Sequence, residues 1–315
     1  MVDHYDSILI DVSGLAHAAR HANSGMSTSL GIPTCVIYHC LTTALHLGLQ
    51  YRTNQIIWCF DSFSSKRKEL YPEYKKSRRN TKYTAEELKE IEDMRSQIED
   101  LRIHLLPAIG FGNILHCEGL EADDVIASYV LDNPAKSKLI VSTDGDLYQL
   151  LDKAHMLAHH HMTEQSLIEK YGLRASQWAM FKTICGCRTD DVPGVAGVGE
   201  KKATAYLLGT LKETTSYYQK IVKATEDGTL ELMAKLVTLP FEGTPSCFHR
   251  QDSFSKKGFI KVCTQYEFNS FLLDSSLSDW RRFFKGAFDN AESNRAKTTI
   301  HHRNRSRKNR RHRVV

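Results

Sequence analysis

The chain has 315 residues, 41% of them hydrophobic and 25% charged, which is ordinary for one large α/β domain or about two globular domains. No apolar run is long enough to cross a membrane, and the opening residues MVDHYDSILIDVSG lack the pattern of a signal peptide. The formal charge is +5, but residues 301–315 hold seven Lys or Arg and no acid, so without them it becomes −2. We therefore expect a cytoplasmic protein with no membrane partner and a locally basic surface.

Three short β-rich runs occur along the first half of the chain: SILID at 7–11, QIIWCFD at 55–61 and KLIVSTD at 138–144. Helical patterns lie between them, one of which opens with a capping box of Thr84 and Glu87. Beyond about residue 230 the sequence predicts one further helix, near Tyr266 to Leu273. Alternating strands and helices predict a mainly parallel α/β sheet flanked by helices. Each run ends in an aspartate, and the carboxyl ends of parallel strands meet at one edge of a sheet.

Acidic residues therefore converge on one predicted crevice. The set comprises the strand ends, the start of a predicted helix in GLEADDVIASYVLD and later positions: Asp11, Asp61, Glu121, Asp123, Asp124, Asp144, Asp146 and Asp190. Two carboxylates 4 Å apart repel by roughly 4 kcal/mol at an effective dielectric of about 20, so such a set requires cations. Oxygen ligands suit Mg²⁺ or Mn²⁺, and two such ions about 4 Å apart favour phosphodiester hydrolysis. For the three acids at the helix start, stabilisation of the helix dipole is the alternative.

Two basic segments accompany the acids. The first runs from Lys66 to Lys82, holds eight Lys or Arg against two Glu, and is interleaved with tyrosines. The second is the tail 301–315, which is expected to be disordered and to tether nucleic acid. Both segments favour a polyanionic partner, although a solvated helix face is the alternative for the first.

Seven segments occur in the order typical of one family: ILIDVSG, WCFDS, YPEYKKSR, GLEADDVIA, VSTDGDLYQLL, EKYGL and TDDVPGVAGVGEKKA. From Ile8 to about Ala205 the sequence resembles the 5′ nuclease family of flap endonucleases and 5′→3′ exonucleases. The family includes bacteriophage exonucleases and the 5′ nuclease domain of bacterial DNA polymerase I. The resemblance implies a PIN-like catalytic core at 1–180 with a helical arch at about 62–106. It also implies a helical DNA-binding domain at 181–300 with a helix-hairpin-helix element.

The same resemblance implies the roles of individual residues. Asp11, Asp61, Glu121 and Asp123 would hold one Mg²⁺. Asp123, Asp144, Asp146 and an aspartate of the 184–203 stretch, Asp190 or its neighbour Asp191, would hold the second. Asp123 would bridge the two ions, and Lys75 and Arg78 would reach the scissile phosphate from the arch. The implied substrate is DNA with 5′ ends or flaps, including RNA–DNA hybrids, cut by a monomer during replication or repair in the cytoplasm of a bacterium or a phage-infected host. In plan the chain is similar to the phage enzymes, which lack a polymerase domain.

The glycine-rich run GVAGVGEKKA resembles the family's hairpin, in which the backbone amides of Gly197 and Gly199 and the side chains of Lys201 and Lys202 would grip a duplex phosphate. In the family this hairpin also binds K⁺. A tight turn between two helices is the alternative.

Two positions depart from the family pattern. The family has Gly-Asp-x-x-Asp where this chain has Gly186, Cys187 and then Asp190, so a thiol replaces the first carboxylate. Sulfur is a poor ligand for Mg²⁺, so either Asp190 and its neighbour Asp191 compensate or hydrolysis is slowed. The family arginine near the first strand is replaced by Ala18, which leaves Arg20 or His21 as candidates.

Two other functions would use some of the same residues. A phosphatase of the haloacid dehalogenase type would require an acid two residues after Asp11, where the chain has Ser13. A DNA-binding protein on the same scaffold, non-catalytic or weakly active because of Cys187, remains the alternative to the nuclease.

Overall fold

The computed structural model describes residues 4–22 and 25–288. The basic tail 301–315 and the last part of the predicted domain 181–300 lie outside these residues, and so does the side chain of His21. Among the described residues, no helix is both long and apolar enough to cross a membrane.

The centre of the fold is a six-stranded sheet in the order β3-β2-β1-β4-β5-β6. Neighbouring strands are parallel except for the last pair, so the predicted mainly parallel sheet is confirmed. The strands are β1 Ser7–Asp11, β2 Ile56–Cys59, β3 Ile114–Leu115, β4 Lys138–Val141, β5 His155–Leu157 and β6 His161–Met162. β1 has β2 on one side and β4 on the other, and the strand order reverses there. The crevice at such a reversal is where ligands bind in open α/β sheets.

Seven α-helices lie in the part of the first half that the structure describes. They are α1 Val12–Ala22, α2 Cys35–Gln50, α3 Lys66–Leu70, α4 Lys76–Arg79, α5 Ala85–Asp100, α6 Leu106–Ile109 and α7 Ala122–Asp132. α5 begins at the predicted capping box, because Thr84 accepts a hydrogen bond from the Glu87 amide and Glu87 accepts one from the Thr84 amide. A π-helical segment, Leu101–Leu105, continues α5 into α6.

The described residues of the second half form seven more: α8 Glu164–Tyr171, α9 Ala175–Cys185, α10 Glu200–Leu207, α11 Ser216–Glu226, α12 Thr229–Val237, α13 Lys256–Gln265 and α14 Asp274–Lys285. The sequence predicted a helix near 266–273, and this was wrong. The segment is instead a connection with one 3₁₀ turn, Asn269–Leu272, between α13 and α14. The apolar spacing there belongs to aromatic side chains such as Phe268 and Phe271, which pack into the core from that connection.

Both faces of the sheet are covered, which explains why its strands read as continuous apolar runs. Ile8 and Ile10 face a core built with α1, α2 and α5, whereas Leu9 faces a second core built with α7, α9 and the segment before α10. Phe259 of α13 and Trp280 of α14 belong to the first core. The boundary predicted at residue 180 therefore does not separate these last two helices from the sheet.

Candidate metal centre and nucleic-acid interface

A first group of carboxylates lies at the carboxyl ends of β1 and β2. Asp11 is the last residue of β1, Asp61 follows β2, and Asp123 lies in the first turn of α7. The Asp11 carboxylate accepts hydrogen bonds from the Gly14 amide at 3.0 Å and the Ser142 hydroxyl at 2.8 Å. A Cβ at Gly14 would lie 2.7 Å from an Asp11 oxygen, so this close approach requires glycine. The local backbone thus holds Asp11 in one orientation.

These carboxylates interact with one another electrostatically. Burial raises the pKa of Asp11 to about 6, helped by the charges of Asp61 and Asp144. Burial also raises the pKa of Asp123 well above its usual value, together with the charges of Asp144, Asp11, Asp61 and Glu121. Burial and mutual repulsion both disfavour the charged forms of these carboxylates, and a bound cation would offset both effects.

A second group lies beside the first, after β4. Asp144 accepts a hydrogen bond from the Asp146 amide at 2.8 Å, which starts a 3₁₀ turn over Gly145–Leu150. Ligand atoms of Asp146, Cys187 and Asp190 lie within 4.8 Å of one another, and all three residues are buried. Burial, followed by the charge of Asp144, raises the pKa of Asp146, and the same Asp144 charge contributes to the raised pKa of Asp11 in the first group.

Cys187 is held in this second group by its backbone. Its amide donates to the Val192 carbonyl at 2.8 Å, and the Val192 amide donates back at 3.0 Å. The thiol lies 3.1 Å from the Thr189 hydroxyl and 3.9 Å from the Lys182 ammonium. Burial, followed by the charge of Asp146, raises the pKa of this thiol. Cys187 is visible in the sequence as a departure from the family pattern, whereas no sequence signal distinguishes Lys182, which reaches the same place from α9.

Asp124 has a different environment from its neighbour Asp123. Arg67 donates to both of its oxygens, at 2.6 and 2.8 Å, and both side chains are buried. The amides of Glu121 and Phe241 donate to the same carboxylate at 3.0 and 2.8 Å. We therefore remove Asp124 from the candidate metal ligands, because its lone pairs are occupied inside the protein. Arg67 belongs to the basic segment, where no local pattern distinguishes it from the exposed cations beside it.

Lys75 and Arg78 lie at the junction of the two carboxylate groups. The Lys75 ammonium is 2.8 Å from Glu121 and 3.7 Å from Asp190, and the Arg78 guanidinium is 2.8 Å from Asp190. Burial alone would raise the pKa of Glu121, but the charges of Lys75 and Arg67 lower it. Lys75 has a φ of 51°, which is uncommon for a residue with a side chain and marks a constrained position.

Tyr74 supports the contact between Lys75 and Glu121. It is 2% exposed, packs with Met233 and Leu236 of α12, and donates from its hydroxyl to Glu121 at 3.0 Å. The Lys75 amide in turn donates to the Asp190 carbonyl at 2.9 Å. In the sequence, Tyr74 is one of several tyrosines in a basic segment, and nothing local distinguishes it from the others.

Asp191 and Arg20 make other contacts. Asp191 has a φ of 56° and accepts a hydrogen bond from the Ser77 amide at 2.7 Å, which ties the loop to α4. Arg20 lies 3.7 Å from Glu90 of α5. We therefore assign neither residue to the carboxylate groups.

The glycine-rich run forms a hairpin between α9 and α10. Val195 and Val198 are buried in the second core, and the Val195 amide donates to the Ile184 carbonyl at 2.8 Å. Gly197 between them is exposed and has a φ of 79°, which glycine adopts without strain. Gly199 precedes α10, whose first turn presents the exposed side chains of Lys201 and Lys202. Exposed amides and cations at a helix start are suited to a phosphate.

The fold and the site together define an α/β protein with a buried acidic crevice beside basic side chains. Residues 6–172 match the family model described as 5′-3′ exonuclease, N-terminal resolvase-like domain. The chain therefore belongs to this 5′-3′ exonuclease family, and the resemblance found in the sequence is confirmed.

Curated relatives match most of this chain. It is 35% identical over 237 residues to the thermostable DNA polymerase I of Thermus aquaticus, a match that covers 73% of this chain but 27% of the polymerase. It is 30% identical over 224 residues to a 5′-3′ exonuclease of Buchnera aphidicola, covering 69% of this chain and 74% of that protein. The chain thus spans about a quarter of the length of the polymerases it matches.

Solved structures share the fold. A flap endonuclease of bacteriophage T5, in a complex with DNA and metal ions, matches with a TM-score of 0.64 at 24% identity, covering 75% of this chain and 89% of that one. A flap endonuclease of Methanococcus jannaschii matches with a TM-score of 0.56 at 16% identity, covering 89% and 93%. These likenesses confirm the predicted 5′ nuclease fold.

Proposed function

We propose that the chain is a metal-dependent 5′ nuclease that hydrolyses phosphodiesters of DNA at 5′ ends and 5′ flaps. The observation that carries the proposal is the junction at which Lys75 and Arg78 lie against the carboxylates of Glu121 and Asp190. A phosphate fits this junction, because metal cations held by the carboxylates and the basic side chains of Lys75 and Arg78 would both neutralise its negative charge. The names of the relatives, a 5′-3′ exonuclease and a flap endonuclease, support the same activity.

The residues of the first group fit Mg²⁺ or Mn²⁺. Asp11, Asp61, Glu121 and Asp123 offer only oxygen atoms, which hard divalent cations prefer. The charges of Asp11 and Asp144 both act on the Asp123 carboxylate, so Asp123 is suited to bridge the first and second groups. Two bound cations would supply an activated water and stabilise the leaving oxygen. The second group, with Cys187, fits Mg²⁺ poorly.

The chain's own residues bind and orient the substrate. The Lys75 ammonium and the Arg78 guanidinium would neutralise the charge that builds up on the scissile phosphate. Tyr74 positions Lys75 through its contact with Glu121. The Asp11 carboxylate keeps its orientation because Gly14 and Ser142 donate to it.

The hairpin would hold the duplex next to the cleavage site. Its amides at Gly197 and Gly199 and the side chains of Lys201 and Lys202 offer donors to a phosphate without reading the base sequence. We assign to it the role of a helix-hairpin-helix element, with K⁺ as its candidate ion. Within this proposal the enzyme acts as a monomer in replication or repair, and RNA–DNA primers are also substrates.

The test is cleavage of a 5′-labelled flap duplex by the wild-type chain and the Asp123→Ala variant, with EDTA as the control. We expect Mg²⁺-dependent release of a short labelled product by the wild type, and DNA binding without cleavage by the variant. Full activity of Asp123→Ala would contradict the assignment of this carboxylate. DNA binding without cleavage by the wild type, with activity appearing in Cys187→Asp, would identify a DNA-binding protein impaired at one ligand.

A further inference from the structure

The second carboxylate group contains a donor set that differs in kind from the first. Asp146, Cys187 and Asp190 bring two carboxylates and one sulfur within 4.8 Å of one another. Asp146 is 8% exposed, and its Oδ1 atom accepts no hydrogen bond from the residues that the structure describes. A buried oxygen of this kind needs a positive charge beside it.

In the protein alone, basic side chains lie beside both carboxylates: Lys182 beside Asp146, and Arg78 and Lys75 beside Asp190. The Lys182 ammonium is 3.0 Å from Asp146 Oδ1 and 3.9 Å from Cys187 Sγ. The ammonium is carried by a flexible four-carbon stem, so it can withdraw when a divalent ion binds. Trp178 lies on the same helix, with its ring centroid 6.0 Å from the ammonium.

The sulfur decides which divalent ion fits. Mg²⁺ demands oxygen ligands and dehydrates reluctantly, whereas a thiolate is a strong ligand for softer ions. Around a tetrahedral Zn²⁺ the donor atoms would lie about 3.5 Å apart, so the three side chains need to close by about 1 Å. Three protein ligands also leave a fourth position open, as in catalytic zinc sites.

We propose that Asp146, Cys187 and Asp190 form a cation site that takes a thiophilic divalent ion, such as Zn²⁺, Co²⁺ or Cd²⁺, in preference to Mg²⁺. The thiol releases its proton to solvent when the metal–sulfur bond forms. The inference deepens the proposed function, since the site is its second metal position. The first carboxylate group would still take Mg²⁺ or Mn²⁺, so the two positions differ in the ion that they select.

The test is titration of the whole chain with CdCl₂ or CoCl₂ in excess Mg²⁺, followed by the thiolate-to-metal charge-transfer absorbance. We expect a band for one thiolate per chain that is lost in Cys187→Ser and in Cys187→Asp. The affinity for Cd²⁺ in Cys187→Ser should fall by at least about tenfold, the lower end of what even an outer-shell partner costs. Cys185→Ser is the matched control, because Cys185 lies two residues away and outside the donor group.

A further variant separates the metal from the lysine. Lys182→Met removes the competing ammonium and should tighten Cd²⁺ binding. If the wild type shows no band, or the band persists in Cys187→Ser, the proposal is overturned. A band only in Lys182→Met would also overturn it, because the native site would then belong to the lysine.

Nuclease assays on the same samples keep the two proposals apart. DNA cleavage in Mg²⁺ without a Cys187-dependent band sinks the thiophilic site and leaves the nuclease standing. The band without cleavage in any divalent ion supports the site and contradicts the nuclease.

Discussion

Arg67 and Asp124 form a bidentate ion pair in which both side chains are buried and both carboxylate oxygens accept hydrogen bonds. The pair joins α3, at the start of the basic segment, to the first turn of α7, which carries Asp123. Arg67 also donates to the Leu236 carbonyl at the end of α12, so three parts of the chain meet at one guanidinium. Neighbouring aspartates on one helix thus have opposite roles, one supporting the site and one facing it.

Breaking this pair should cost stability. Asp124→Asn breaks the buried pair and leaves Arg67 with Glu121, 3.8 Å away, as its charged partner. Breaking a buried ion pair typically costs about 3–5 kcal/mol of unfolding free energy. Urea unfolding in EDTA measures it. The Asp123→Asn variant is the matched control, because the two residues are adjacent on the same turn. An Asp124→Asn variant as stable as the wild type would refute the structural role.

The neighbouring change should have the opposite effect on the metal-free protein. The folded state keeps protons on Asp11 and Asp123 that the unfolded chain has released, because burial and mutual repulsion raise both pKa values. That part of the stability is complete below pH 3.8, the ordinary pKa of Asp, and is lost as the pH rises through about 6 for Asp11 and through the raised pKa of Asp123.

In EDTA at pH 8, therefore, Asp123→Asn should melt a few degrees above the wild type, and the difference should shrink towards pH 5. Saturating Mg²⁺ should raise the melting temperature of the wild type more than that of the variant. Thermal unfolding followed by circular dichroism checks both statements. A variant that melts below the wild type at pH 8 would argue against repulsion in the crevice.

Lys75 should matter for chemistry more than for binding. Lys75→Met removes the ammonium beside Glu121, and we expect kcat for flap cleavage to fall by about 10²–10³, as for other groups that stabilise a transition-state charge. Lys76→Met is the matched control, since Lys76 is exposed and pairs with Glu73 instead. Equal losses in the two variants would show that general basicity, rather than the position of Lys75, is responsible.

The hairpin lysines should set the salt dependence of DNA binding. If Lys201 and Lys202 each contact one phosphate, the double alanine variant should reduce the log-log salt slope by about 1.8. The exposed pair Lys256 and Lys257 on α13 is the control, because that helix packs on the other face of the sheet. A duplex-binding titration at several salt concentrations measures the slope. An unchanged slope in the hairpin variant would remove the hairpin from the interface.

Much of the fold follows from local pattern. The strand runs, the Thr84 capping box and the aspartate after each strand depend on neighbours along the chain, so the sequence predicts them. The inward turn of Arg67 does not follow, because a basic segment carries no periodicity that separates a buried cation from its exposed neighbours. Lys182 and Asp146 are 36 positions apart in the sequence, and their contact forms only because α9 packs on the turn after β4. The helix predicted near 266–273 is wrong for the same reason, because the apolar spacing of that connection reflects burial by tertiary contacts.

The most direct measurement is single-turnover cleavage of a 5′-labelled flap duplex by the wild type and Cys187→Asp, in Mg²⁺, in Mn²⁺ and in EDTA. The account predicts release of a short labelled fragment by the wild type in a divalent metal, none in EDTA, and cleavage in Mg²⁺ that is at least as fast in Cys187→Asp. Binding of the duplex without cleavage by either protein, in any of these ions, would contradict the claim that this acidic crevice is the site of a 5′ nuclease.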